Sequence, residues 1–186
     1  MALTVPLPRS SSEDGGHGLT RWYEHGLGWA TVPGPPVLLP TGLRFDVLEL
    51  PAAAGHAVLR RVGGTGPVAL MGRRMRLLVA AGSAEELPGL LDWLEWGGIA
   101  LDLAGLGAGG RITAPVPPGW CGSGRPGAAV WLRPPVPGRE VESSLPALPA
   151  LGGPGDAPGL VRLVEAAATE CHRLRLTRGR QPLAFS

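Results

Sequence analysis

The sequence predicts an α+β domain, a mixed and partly antiparallel sheet packed with helices on one or both faces. Three observations lead there. Short apolar runs of strand length are punctuated by Pro and Gly turns, longer runs carry apolar residues at helical spacing, and the two kinds alternate without regular β-α-β spacing. A length of 186 residues suits one domain of ordinary size and excludes two large ones. The 30 glycines and 21 prolines bring the chain to the edge of compositions that stay disordered. Against that, 44% apolar residues, 17% charged residues and a mean hydropathy of +0.14 supply enough buried surface to offset chain entropy. The expectation is a folded domain with long Pro/Gly loops.

Residues 1–16 hold Pro6, Pro8, a serine triplet and Glu13-Asp14, and read as a disordered tail without the basic start and apolar core of a signal peptide. Leu19, Trp22, Tyr23 and Leu27 then fall at helical spacing, ended by Gly26 and Gly28. Trp29–Val32, Val37–Leu39 and Phe45–Leu50 are strands by length and by their flanking turns, the last stopped by Pro51. Ala52–Val62 is an alanine-rich helix despite Gly55, and Val68–Leu70 with Arg76–Ala80 makes a strand pair around Gly72-Arg73. Ser83-Ala84-Glu85-Glu86 has the form of a capping box. It opens a helix whose stripe is Leu87, Leu90, Leu91 and Leu94 and which the Gly97-Gly98 pair closes. Ile99–Leu103 reads as a strand, Gly105–Gly110 as a glycine loop, Arg111–Ala114 and Val130–Leu132 as further strands. Residues 135–155 form a Pro/Gly-rich linker. A last helix, residues 156–177, starts with Asp156 as N-cap and Pro158 in its first turn. Its core face is Leu160, Leu163, Val164, Ala167, Cys171 and Leu174, and residues 178–186 are a second tail.

Several function classes drop out on composition. All seventeen basic residues are arginine, so neither a Schiff-base lysine nor a phosphate-loop lysine exists. Net charge +2 permits a polyanion partner without requiring one. Cys121 and Cys171 lack ligand spacing, which argues against zinc and a disulfide scaffold and for free thiols in a cytoplasmic setting. No apolar run reaches the length of a membrane span, so no membrane partner is expected. No motif calls for an organic cofactor.

Among the charged residues, Asp46 and Glu49 stand three apart on one strand and so face opposite sides of it. Asp102 precedes the glycine run, whose backbone could approach a phosphate. The dinucleotide fingerprint fails, since Arg111–Ala114 continues as strand and not as helix. Arg73, Arg74 and Arg76, with Arg60 and Arg61, form one basic cluster, and Arg173, Arg175, Arg178 and Arg180 a second; solvated faces are the commoner explanation of such clusters. Trp120, within a Pro/Gly loop, is the one tryptophan placed for base stacking. His25 and His56 have no carboxylate or cysteine at ligand spacing, His17 lies in the tail and His172 beside the core face of the last helix, and none is assigned a catalytic role.

The order of six pieces carries a resemblance. They are Trp22-Tyr23 through Gly28-Trp29 with Val32-Pro33; Leu39-Pro40-Thr41-Gly42; Asp46-Val47-Leu48-Glu49; Arg76-Leu77-Leu78-Val79; Leu101-Asp102-Leu103 with Gly105 to Ile112-Thr113-Ala114-Pro115; and Trp131-Leu132. Together they resemble the N-terminal domain of bifunctional DNA primase/polymerases, the prim-pol branch of the archaeo-eukaryotic primase superfamily, over residues 17–134. The resemblance implies an RRM-like sheet and template-directed nucleotide transfer with Mg²⁺ or Mn²⁺. In that pattern Glu49 and Asp102 match catalytic and metal-binding acids. Arg76 stands where the family has a phosphate-contacting histidine, with Arg74, Gly107, Gly109 and Gly110 as further phosphate contacts. The second acid of the family's first motif falls on Pro51, which has no side-chain ligand. The resemblance therefore implies a degenerate member that keeps a cleft for a nucleotide or single-stranded nucleic acid. Its rivals are an active primase/polymerase and a ligand-free scaffold that meets a protein partner through the C-terminal helix.

Overall fold

Alternation along two apolar runs decides where the sheet lies. The computed structural model describes residues 12–120, 127–148 and 159–179. In chain order its elements are α1 (Ser12–Arg21), extended by a π-helical turn over Trp22–Leu27, β1 (Leu38–Pro40), β2 (Phe45–Pro51), α2 (Ala52–Arg61), β3 (Val68–Met71) and β4 (Arg74–Ala80). There follow α3 (Ser83–Trp93), β5 (Ala104–Leu106), β6 (Arg111–Thr113), β7 (Ala129–Arg133), a 3₁₀ turn at Glu142–Ser144 and α4 (Leu160–Gly179). Five strands join in the order β5-β2-β4-β3-β7, and β1 pairs with β6. Every ladder between these strands is antiparallel, and the parallel pairings among the described residues are isolated bridges, Val116 with Val130 and Ala147 with Gly159. The α+β class expected from the sequence is the one found.

β2 and β3 run parallel with β4 inserted between them, so β2-α2-β3-β4-α3-β5 is a split β-α-β arrangement. Leu48, Leu50, Met75, Leu77 and Val79 point to one side of the sheet and pack under α2, α3 and α4 through Val58, Leu87, Leu160, Leu163 and Val164. On the other side Val47, Leu78, Ala69 and Trp131 meet Tyr23, Trp29, Leu39, Ile112 and Leu145. The sheet thus separates two cores. Tyr23 ties the second one together, its hydroxyl donating to the carbonyl of Pro115 at 2.6 Å and accepting from Trp131 Nε1 at 2.9 Å. Burial pushes that hydroxyl's pKa far above the usual phenol range, against a lowering from the Trp131 bond.

Gly55 is a packing requirement inside α2. A β-carbon there would stand 2.9 Å from Met75 Cβ and strike the thioether as well, so only glycine lets the helix lie this close to β4.

Several expected boundaries move. α1 takes up residues from Ser12 onward, within the span expected as tail. The Ser83 capping box does not form: Gly82 occupies the N-cap position with φ +89°, and no side chain of the local sequence caps the helix. Asp46 does so instead, its Oδ2 accepting from the Ala84 amide at 2.9 Å. At the other end Gly97 and Gly98 are not the closure. Glu95, with φ +65°, ends α3 through Glu95 N–H to Asp92 O and Trp96 N–H to Leu91 O, the two bonds of a Schellman motif. The strand expected at Ile99–Leu103 is a turn and bend. The strand forms at Ala104–Leu106, on glycine-run residues, because Gly105 can slide past Ala84 where a β-carbon would come within 3.1 Å. Part of the expected linker also folds, Val141 and Leu145 flanking the 3₁₀ turn and entering the second core. Asp156 and Pro158 lie outside the described residues, as does Cys121.

Candidate functional site: an arginine–carboxylate cluster at the end of β2

β2 and β4 place the site. Glu49 and Arg76 are opposite each other in the ladder, and Arg74 is opposite Pro51, two residues along on the same face. Glu49 Oε2 accepts from Arg76 Nε at 2.8 Å and Oε1 from Arg74 Nε at 3.1 Å. Arg74 then reaches the neighbouring loop, donating through Nη1 to Asp102 Oδ1 at 2.6 Å. Four side chains thus form a continuous chain of ion pairs, Arg76–Glu49–Arg74–Asp102. Exposure rises along it from 14% at Arg76 to 55% at Asp102. Partial burial of Arg74 lowers its pKa, but the hydrogen bonds and charges of Asp102 and Glu49 outweigh this, and the net shift is upward. The Arg76–Glu49 end is the shielded one, where a charge-assisted bond is worth more than the ~0–1 kcal/mol of an exposed pair.

Asp102 is held by its backbone. The Cys171 thiol donates to its carbonyl at 3.4 Å and Arg175 Nη1 to the carbonyl of Ala100 at 2.7 Å, so α4 fixes the 99–103 turn beside β2. β5 pairs with β2 only over Val47–Glu49, which leaves Pro51 beyond the ladder on that side.

The structure brings Glu49, Arg74, Arg76 and Asp102 together. It keeps the glycines apart from them. Gly107 lies beside Asp46, three residues back along β2, about 10 Å at 3.3 Å per residue. Its carbonyl accepts from Thr41 Oγ1 at 2.6 Å and from the Gly110 amide at 3.0 Å, and the Gly110 carbonyl accepts from Thr41 N–H at 3.0 Å. Gly109 takes the positive φ of that turn, +77°. The loop closes on the Thr41-Gly42 turn, at the end of β2 away from the arginines. Asp46 itself is fully buried on the helix-covered side, as the three-residue spacing from Glu49 requires.

A pair of divalent ions asks for several carboxylate oxygens free to converge. Here both oxygens of Glu49 are taken by guanidiniums, Asp102 Oδ1 is taken by Arg74, and position 51 is proline. No group of three or more His, Cys, Asp or Glu side chains converges among the described residues. The donor set does not suit a two-metal site. It suits an anion, because each guanidinium keeps N–H donors beyond those the carboxylates use.

Sequence reasoning missed Asp46 as the cap of α3, and no local signal could have found it, since donor and acceptor are 38 residues apart. Arg61 of the first basic cluster and Arg173 of the second both bind the buried Glu170, at 3.1 and 3.0 Å, while Arg175 holds the 99–103 turn. The apolar face of α4 from Leu160 to Cys171 is buried in the domain's own core, which leaves none of it for docking. No helix among the described residues is long and apolar enough to cross a membrane.

Comparison with protein families, with curated proteins and with solved structures returned no match.

Proposed function

We propose that the chain is a prim-pol-like domain without polymerase chemistry that binds the phosphates of a nucleotide at Arg74 and Arg76. The observation that supports this reading is the convergence of Arg76, Glu49 and Asp102 on adjacent strands and the turn beside them, three positions that the resemblance assigns to one nucleotide cleft. The split β-α-β sheet is compatible with it, although that topology hosts many functions and carries no site by itself. In this reading the arginines meet the phosphates, and Asp102, the most exposed member, swings aside from Arg74 to admit them. Pro51 and the engaged Glu49 leave no arrangement that aligns an attacking hydroxyl, so binding is not followed by nucleotide transfer.

Equilibrium titration with ATP, with and without Mg²⁺, tests it. ATP binds the wild type in both conditions, and Arg76→Ala weakens it by about 10- to 100-fold, the value of one or two charge-assisted hydrogen bonds. Absence of binding, or a variant as good as the wild type, rejects the reading. Primer synthesis on a single-stranded template, lost in Asp102→Ala, would restore the active polymerase in its place.

A further inference from the structure

Beyond Asp102 the edge of β2 opens into a groove of about 320 Å³ between the 99–103 turn and the last turns of α4. Its floor is apolar, made chiefly of Pro51, Leu101 and Leu174, and its rim carries Arg175, Arg178 and Asp102. Arg175 uses Nη1 on the Ala100 carbonyl. Arg178 makes no hydrogen bond or ion pair with the described residues. Two guanidiniums with most of their donors unused therefore border an apolar trough, one helical turn apart on the same side of α4. Arg76 takes no part in it.

That combination selects a ligand by charge and by size. The unused N–H forks match a carboxylate, and the floor needs an apolar body to cover it. The volume lies at the small end of ligand sites. Asp102, on the wall, is already paired with Arg74, and a bare phosphate would leave the apolar floor uncovered. We propose that this groove binds a small monocarboxylate with an apolar body, its carboxylate on Arg175 and Arg178 and its chain on Pro51, Leu101 and Leu174. The groove shares Asp102 with the ion-pair chain, but the contacts proposed for the carboxylate use neither Arg74 nor Arg76, so octanoate binding is read independently of ATP binding.

Calorimetric or NMR titration of the full chain with octanoate, octanamide and inorganic phosphate tests it. Octanoate binds saturably and at least about tenfold more tightly than octanamide or phosphate. The double variant Arg175→Gln/Arg178→Gln weakens octanoate about tenfold or more, while Arg76→Ala leaves its affinity unchanged. Because Arg175 also holds the 99–103 turn, Arg178→Gln alone is the second variant, and a circular dichroism melt confirms its fold. No saturable octanoate binding, equal binding of the amide, tighter binding of phosphate, or full affinity in the double variant each overturns the proposal.

Discussion

Glu95 sits in the left-handed region with φ +65°, where a β-carbon crowds the following carbonyl. It occupies the C′ position that glycine fills in most Schellman caps, and the cap's two hydrogen bonds hold it there. Glu95→Gly keeps both bonds and removes the crowding, so it stabilises the protein by about 0.5–1 kcal/mol, seen as a rise of a few degrees in thermal midpoint. Cys171 shows the opposite case of a side chain well suited to its place. Burial first, then the charge of Asp102, pushes its thiol up to about 12, against a lowering from Arg74. Its folded value thus lies above the unfolded one of ~8.5, so the stability it contributes is complete below that pH and is lost as pH rises towards 12. Denaturant midpoints of wild type and Cys171→Ala measured from pH 7 to 11 check this: the wild type's advantage shrinks above about pH 9. Peptide mapping after iodoacetamide at pH 8 finds Cys171 unmodified in the folded chain and modified in denaturant.

At the scale of elements, close approach explains what composition hid. Gly55 brings α2 down onto Met75, and Gly55→Ala forces that side chain or the helix to move. A cost of about 1–3 kcal/mol follows, read from equilibrium unfolding, although alanine has the better helix propensity by ~1 kcal/mol. An unchanged or higher stability would mean that the contact between α2 and β4 is slack. The same physics decides β5. Alternation of side chains is the signal for a strand, and Gly105 has none to alternate, so Ile99–Leu103 offered the better apolar run while the pairing went to Ala104–Leu106. β2 and β4 were legible because their inward and outward residues both belong to cores. The capping box of Ser83 and Glu86 was legible and absent, because Gly82 takes the N-cap position and puts Ser83 inside the helix, where a buried carboxylate from β2 caps the Ala84 amide. Of the candidate site, the identities of Glu49, Arg76 and Asp102 came from motif order, and their meeting depended on a ladder register and a helix contact that no local pattern encodes. The glycines failed to join them for the reason that makes glycine runs ambiguous: small residues serve a tight turn as readily as a ligand.

For the whole molecule, the two cores are unequal in what they need. The helix-covered one takes Leu160, Leu163 and Val164 from α4, all fully buried. At ~1.5–3 kcal/mol per side chain their loss approaches the total stability of an ordinary domain, about 5–15 kcal/mol. A chain ending at residue 155 therefore loses its cooperative unfolding transition, whereas the full chain shows one; a sharp transition in the shortened chain would show that α4 is an appendage. Removing α4 also releases the 99–103 turn, so truncation unmakes the cluster and the groove together.

Pro51, met above as the missing carboxylate, has a second effect through its ring nitrogen. β5 stops opposite Glu49, so Leu50 and Pro51 have no ladder partner on that edge although both are buried. Proline brings no amide hydrogen to that covered position, so the ladder can end there without stranding a donor away from water.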